Sequence, residues 1–157
     1  MKKPKIFIAC DTTNLIKVKQ IIKQSKTNKI KIGYKFGLEF INSKRGRQFI
    51  STLKNKIIFI DLKLNDTVNT MVSAVKALKD LKIHYLTVHI SSGLTALKAV
   101  KKVSGDTKIV GVTTLTSLND KDLKLIGYNK SVKSLVSHQA KLATKANLDA
   151  LVCSPHE

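Results

Sequence analysis

The chain has 157 residues, 43% hydrophobic and 25% charged, a balance that suits one globular domain with a sizeable core and excludes a disordered chain. Its formal net charge of +19 raises the question of a polyanionic partner, but only Arg45 and Arg47 among its 29 cations are arginines, the lysines are spread over the whole chain, and tryptophan is absent. Base readout and phosphate forks lean on arginine and aromatic stacking, so the composition argues against specific nucleic-acid binding and leaves weak, salt-sensitive attraction to anions.

The opening stretch, MKKPKIFIACDTT, starts with two lysines as a signal peptide would, but its apolar part runs only from Ile6 to Cys10 before Asp11. A signal h-region needs about 7–15 apolar residues, so this reads as a first strand, Lys5–Asp11, and the protein is expected in the cytoplasm. No later apolar run approaches the ~20 residues of a membrane-spanning helix. Residues 14–24 place Leu15, Val18, Ile21 and Ile22 on one helical stripe. A second strand is predicted at Lys29–Tyr34, with Lys35 following it. The stretch 37–54 reads as helix in two short pieces broken near Ser43–Gly46. A third strand, Lys56–Lys63, leads to a helix over 69–81 with Val72, Val75, Leu78 and Leu81 aligned. Then come a strand at Tyr85–Ser91, a helix at 94–103, a strand at Lys108–Thr114, a short polar helix at 119–129, a long helix at 131–147 and a sixth strand at Asp149–Pro155. Cys10 and Cys153 lie in apolar runs and read as two buried thiols, not as a disulfide.

The strands are rich in Ile and Val and nearly continuous in hydrophobicity, which suits a parallel sheet covered on both faces. Strand alternating with helix means βαβ units. A doubly wound open sheet that binds a nucleotide announces itself with a glycine-rich first turn, and here that turn reads CDTTN. Instead, polar residues recur at the C-terminal strand ends: Asp11, Lys35, Asp61 and Lys63, His89 and Ser91, Thr114 and Thr116, Ser154. A barrel builds its active site that way, so the expected fold is α/β, a (β/α)8 TIM-type barrel. Only six of its eight strands are present, so 1–157 is expected to be a single, partial barrel domain, truncated at its C-terminal side.

The stretch FIDLKLND, residues 59–66, concentrates charge at the end of the third strand. Alternation puts Asp61 and Lys63 on one face with Ile57 and Phe59. Asp66 falls in the following turn and can face elsewhere, including across a subunit boundary. A lysine between acids keeps its charge and can deliver a proton to a developing carbanion. An acid beside an anionic substrate would disfavour the ground state or orient the lysine. The plainer reading is an ion pair at a strand tip. Among His84, His89, His138 and His156 no pair has helical metal-ligand spacing, and His89 reads as structural. Ser154 and His156 lack an oxyanion device or an orienting acid beside them.

The segment FIDLKLNDTVNTM resembles the signature of the orotidine 5′-phosphate decarboxylase family, in which Asp-x-Lys-x-x-Asp ends the third barrel strand. FIACD, KIGYKFGLEF, LTVHISSG, VGVTTLTS and LVCSPHE resemble further family segments in the same order, so the similarity runs over nearly the whole chain. It implies a carboxy-lyase that converts orotidine 5′-monophosphate to UMP in pyrimidine biosynthesis, with no metal and no cofactor. By position it implies that Lys35, Asp61, Lys63 and Asp66 form an alternating charged network. Asp61 would lie near the substrate carboxylate and Lys63 would protonate C6. Asp11 and Lys35 would hold ribose hydroxyls, and Thr116 and Ser117 the pyrimidine edge. Asp66 and Thr70 would reach the partner's site in a homodimer.

Two other readings stand beside it. Metal-dependent sugar-phosphate enzymes of the hexulose-phosphate synthase kind share Asp-x-Lys-x-x-Asp but carry an acid where this chain has Lys35. A nonenzymatic, polycationic nucleic-acid-binding module is the alternative from a different class. The chain also departs from the family pattern. Asn65, Asp66, Thr67 and Val68 stand where the family often has His-Asp-Ile-Pro. The phosphate grip, a glycine-rich segment and an arginine after strands seven and eight, is absent from these residues. The chain alone is therefore expected to have little or no activity, and its open sheet edges to invite association.

Overall fold

The structure, a computed structural model, describes residues 6–154. Lys5 and Pro155, on which the outer ends of the first and sixth predicted strands fall, and His156 lie outside the described residues. The order of elements is β1 (Ile6–Ala9), α1 (Leu15–Gln24), β2 (Ile32–Gly37), α2 (Leu38–Ile41), α3 (Gly46–Ser51), β3 (Ile57–Leu64) and α4 (Val68–Ala77). It continues with β4 (Tyr85–His89), α5 (Leu94–Val103), β5 (Lys108–Val112), α6 (Asp120–Leu125), α7 (Val132–Lys145) and β6 (Ala150–Val152). Neighbours in the sheet follow chain order from β1 to β6. The pairs β1–β2, β2–β3 and β5–β6 are parallel. A doubly wound sheet reverses its strand order at a switch point, whereas this one never does, which is the winding of a barrel.

The described residues divide into two compact units, residues 6–62 with 77–86 and residues 63–76 with 87–154. In the first, the Asn14 side chain caps α1 by accepting from the N–H groups of Ile16 and Lys17 at 2.9 and 3.1 Å. The helix then buries Val18 and Ile22, two of the four stripe residues. The Tyr34 hydroxyl lies 2.9 Å from Ser25 Oγ, tying β2 to the end of α1. Phe7, Phe59 and Tyr85 form an aromatic cluster, with ring centroids 5.1 to 5.8 Å apart. Gly33 makes room for it, because a Cβ there would stand 2.4 Å from the Phe7 ring.

The break between α2 and α3 is held by one close approach. A Cβ on Gly46 would lie 1.7 Å from the Phe40 carbonyl oxygen, and backbone cannot swing aside as a side chain can. Phe40 itself is fully buried against Phe36 and Phe49. Gly46→Ala is therefore expected to destabilise the protein by about 2–4 kcal/mol, read as a lower denaturant midpoint at unchanged slope.

His84 closes a two-way bond with β3. Its N–H donates to the Ile58 carbonyl at 2.9 Å, and its Nδ1 accepts from the Ile58 N–H at 3.2 Å. Only a ring unprotonated at Nδ1 can accept, and burial also lowers the pKa below the ordinary 6.5. The folded state then binds fewer protons than the unfolded one between the lowered value and 6.5, so stability rises with pH across that window. The contribution is complete above 6.5 and is lost as pH falls through the folded value. Melts recorded through this range should show the loss, and His84→Phe should flatten the dependence.

In the second unit α5 buries Ala96, Leu97 and Val100, and α7 buries Leu135, Val136, Gln139 and Ala143. Asp149 Oδ2 accepts from Lys101 Nζ at 2.6 Å and from the Ile109 N–H at 2.8 Å, fastening the approach to β6 onto α5 and β5. A capping box of Asn119 and Asp122 starts α6. Asp120 Oδ1 accepts from the Val132 N–H at 2.7 Å and so joins the starts of α6 and α7.

Three expectations are corrected. The second strand begins three residues later than the Lys29 start and runs through Gly37, so Lys35 lies inside it. Lys29 to Lys31 are exposed and gain nothing from the sheet, while Tyr34 and Phe36 are buried on one face of the strand. Cys10 is buried but Cys153 is exposed, because every residue of the short β6 is exposed. The fifth strand stops at Val112, and Thr113 and Thr114 follow it as buried polar residues.

Candidate active site

In-register residues of a parallel pair share a face, and so do residues two apart on one strand. Ala9 pairs with Lys35, Lys35 with Phe59, and Gly37 with Asp61. Asp11 lies two positions past Ala9, so Asp11, Lys35 and Asp61 converge above the aromatic cluster at the C-terminal ends of β1, β2 and β3. Lys35 Nζ stands 3.4 Å from Asp11 Oδ1 and 3.3 Å from Asp61 Oδ2. The side chain of Asp61 is the most enclosed, at 12% exposure against 26% for Lys35 and 57% for Asp11. One ammonium thus bridges an enclosed carboxylate and an open one.

Cys10 sits between these groups in sequence but not in chemistry. It is fully buried, and its thiol is pushed up to about 11 by burial and by Asp11, against a smaller opposing effect of Lys35. A thiol so shifted supplies no thiolate for nucleophilic attack near neutral pH.

The second unit holds the remaining candidates. Lys63 has φ of 49°, in the left-handed region, although it lies within β3. The backbone thus leaves regular strand angles at this residue. The Lys63 N–H instead donates to Thr87 Oγ1 at 2.8 Å, and Thr87 is fully buried. Thr87 was not among the expected site residues, and its only trace in the sequence is a hydroxyl inside the apolar run YLTVH. Strained backbone at a non-glycine residue persists where surrounding structure enforces it, and such residues gather at functional sites.

Asp66 lies exposed in the turn after β3, its Oδ1 accepting from the Thr67 N–H at 2.6 Å. The Thr67 and Thr70 hydroxyls are 3.0 Å apart at the start of α4, so the two support one another beside Val68, the position at which proline is expected from the resemblance. Thr116 and Ser117 are exposed in the loop after β5. Thr114, by contrast, is buried and donates to Gln139 Oε1 at 3.1 Å, so it anchors that loop to α7. A cavity of about 190 Å³ lies beneath, lined by Asn65, His89, Ser91, Thr114 and Tyr128 among others. Gln139, another residue not anticipated, reads in sequence as one more polar position on a helix. Among the described residues no three His, Cys, Asp or Glu side chains cluster as metal ligands.

Residues 4–157 match the family model described as orotidine 5′-phosphate decarboxylase / HUMPS family. An orotidine 5′-phosphate decarboxylase of Wolbachia sp. subsp. Brugia malayi is 40% identical over 156 residues, covering 97% of this chain and 68% of that protein. One from Sphingopyxis alaskensis is 42% identical over 128 residues, covering 80% of this chain and 57% of that protein. Matches of this kind thus span from a little over half to two thirds of the relatives' length. The crystal structure of orotidine 5′-phosphate decarboxylase from Lactobacillus acidophilus superimposes with a TM-score of 0.84 at 30% identity, covering 99% of this chain and 73% of that one. The enzyme from Methanocaldococcus jannaschii, complexed with the inhibitor BMP, gives a TM-score of 0.77 at 22% identity, which speaks for the fold alone. The fold is the α/β TIM-type barrel, of which this chain covers part, and the chain belongs to the orotidine 5′-phosphate decarboxylase / HUMPS family.

Proposed function

We propose that the protein carrying this chain decarboxylates orotidine 5′-monophosphate to UMP in the cytoplasm, without metal or cofactor. The observation that carries this reading, beside family membership, is the ammonium of Lys35 held between Asp11 and Asp61 at the strand tips. It gives the site its own cation where metal-dependent relatives of the alternative reading carry an acid. The C6–carboxylate bond breaks, its electron pair stays on C6, and CO₂ departs. Lys63 then donates a proton from Nζ to form the C6–H bond and is reprotonated from water. Asp61 disfavours the substrate carboxylate in the ground state, a stress relieved as CO₂ leaves. Asp11 and Lys35 hold ribose hydroxyls, and Thr116 and Ser117 meet the pyrimidine. The test is CO₂ release from orotidine 5′-monophosphate in the presence of a chelator. Undiminished turnover supports the reading, and a requirement for added divalent metal overturns it in favour of the sugar-phosphate class.

The same reading makes the protein a homodimer in which Asp66 and Thr70 serve the partner's site. Mixing Lys63→Ala and Asp66→Ala chains then yields hybrid dimers with one intact site, so two inactive preparations regain activity together. No recovery in demonstrated hybrids would place Asp66 in its own subunit's site. The 157 residues contain no glycine-rich, arginine-bearing phosphate grip. This chain alone should therefore turn over poorly and should not prefer orotidine 5′-monophosphate to orotidine, as paired assays would show.

A further inference from the structure

The N-terminal ends of β2, β3 and β4 carry a second concentration of charge. In the first unit a groove of about 690 Å³ is lined by Lys31 before β2, Lys54 and Lys56 before β3, and Lys82 and His84 before β4. A smaller depression of about 220 Å³ adjoins it, sharing Lys31 and Lys56 and adding Lys26. Ile57, on the strand that ends in Asp61, lines both. Four residues at about 3.3 Å each separate Ile57 from Asp61, so the groove lies about 13 Å along β3 from the Lys35–Asp61 pair.

A chain with so many lysines will crowd some of them by chance, so the balance within the groove is what matters. Asp80 is the single acid lining either depression, and its Oδ1 is taken by Arg47 Nη2 at 2.7 Å. Among the described residues none of the five lysines forms an ion pair. The neutral lining also donates. Because His84 Nδ1 accepts from the Ile58 N–H, its ring proton must be on Nε2, which makes that nitrogen a donor. Asn55 adds an amide, while the Ser51 hydroxyl already donates to the Gln48 carbonyl at 2.7 Å. Positive charge, neutral donors, a neutralised acid and two depressions joined through shared residues describe a receptor for a chain of negative charges spaced a few ångströms apart.

We propose that this groove binds a linear polyphosphate chain, free or as the phosphates of a nucleotide, at a site separate from the strand tips that carry the decarboxylase candidates. Calorimetric titration of inorganic tripolyphosphate into the protein at low salt should show a saturable site, one per chain. Lys31→Gln combined with Lys56→Gln should weaken binding about tenfold or more, while the charge-matched pair Lys133→Gln and Lys141→Gln, exposed on α7, should leave it unchanged. Lys54→Gln, on an exposed position before β3, provides a milder variant should the double substitution impair folding. ATP should bind with similar affinity, since the phosphate chain is the recognised group, and a free chain that binds while ATP does not would identify inorganic polyphosphate as the source. Equal weakening by both lysine pairs, a titration that never saturates, or binding of ATP without binding of tripolyphosphate would each overturn the proposal.

Discussion

Lys63→Ala is expected to remove nearly all decarboxylation, by a factor of at least about 10²–10⁴, with substrate affinity little changed. In the proposed reaction the departing CO₂ leaves an electron pair on C6, and no other ammonium is assigned to reach it. Losing a general acid that acts only in the transition state lowers kcat and leaves KM nearly alone. The protein must still fold for this comparison to mean anything. Position 63 is only half-buried, and its backbone anchor, the Thr87 hydroxyl, binds the peptide N–H and not the side chain. Thermal melts of the variant should therefore stay near those of the parent. Turnover at the parent's level in the folded variant would refute proton delivery by Lys63.

Lys35→Met is expected to produce the second large effect, and a different one. Methionine keeps the length of the stem and removes the charge, so Asp11 and Asp61 remain without the cation they share. With Asp61 only 12% exposed, the enclosed carboxylate loses a charged partner and the fold should weaken by about 1–2 kcal/mol. Activity should fall about 10²–10³-fold, with KM rising as ribose contacts are lost. Lys35→Arg restores charge but not shape, since a planar fork cannot sit between two carboxylates as a point charge does. It should recover stability more than turnover. Equal recovery of both would mean that Lys35 serves the fold alone.

The alternation of apolar runs with amphipathic stretches made the succession of strands and helices readable. Apolar periodicity records burial, and burial dominates where a helix or strand exists at all. The two short helices α2 and α3 were legible because a glycine and a serine interrupt the apolar pattern between them. Strand ends were less so. Lys35 belongs to β2 because its backbone pairs with Ala9 on one side and Phe59 on the other, a fact that exists only once β1, β2 and β3 lie side by side. The Asp11–Lys35–Asp61 trio follows from strand-tip polarity plus register. The turned backbone at Lys63 and its anchor on Thr87 do not, because hydropathy carries no record of dihedral angles. Cys153 shows the same limit in reverse, since an apolar neighbourhood in sequence does not say whether anything covers it.

The left-handed backbone at Lys63 has an evolutionary consequence. Most side chains are disfavoured there on conformational grounds, whereas glycine and asparagine adopt such angles readily. A library randomised at this codon and sorted only for folded protein should enrich glycine and asparagine. The same library sorted for growth without pyrimidines should return lysine. The gap between the two winners would measure what natural selection has held in tension at a single residue, stability on one side and chemistry on the other.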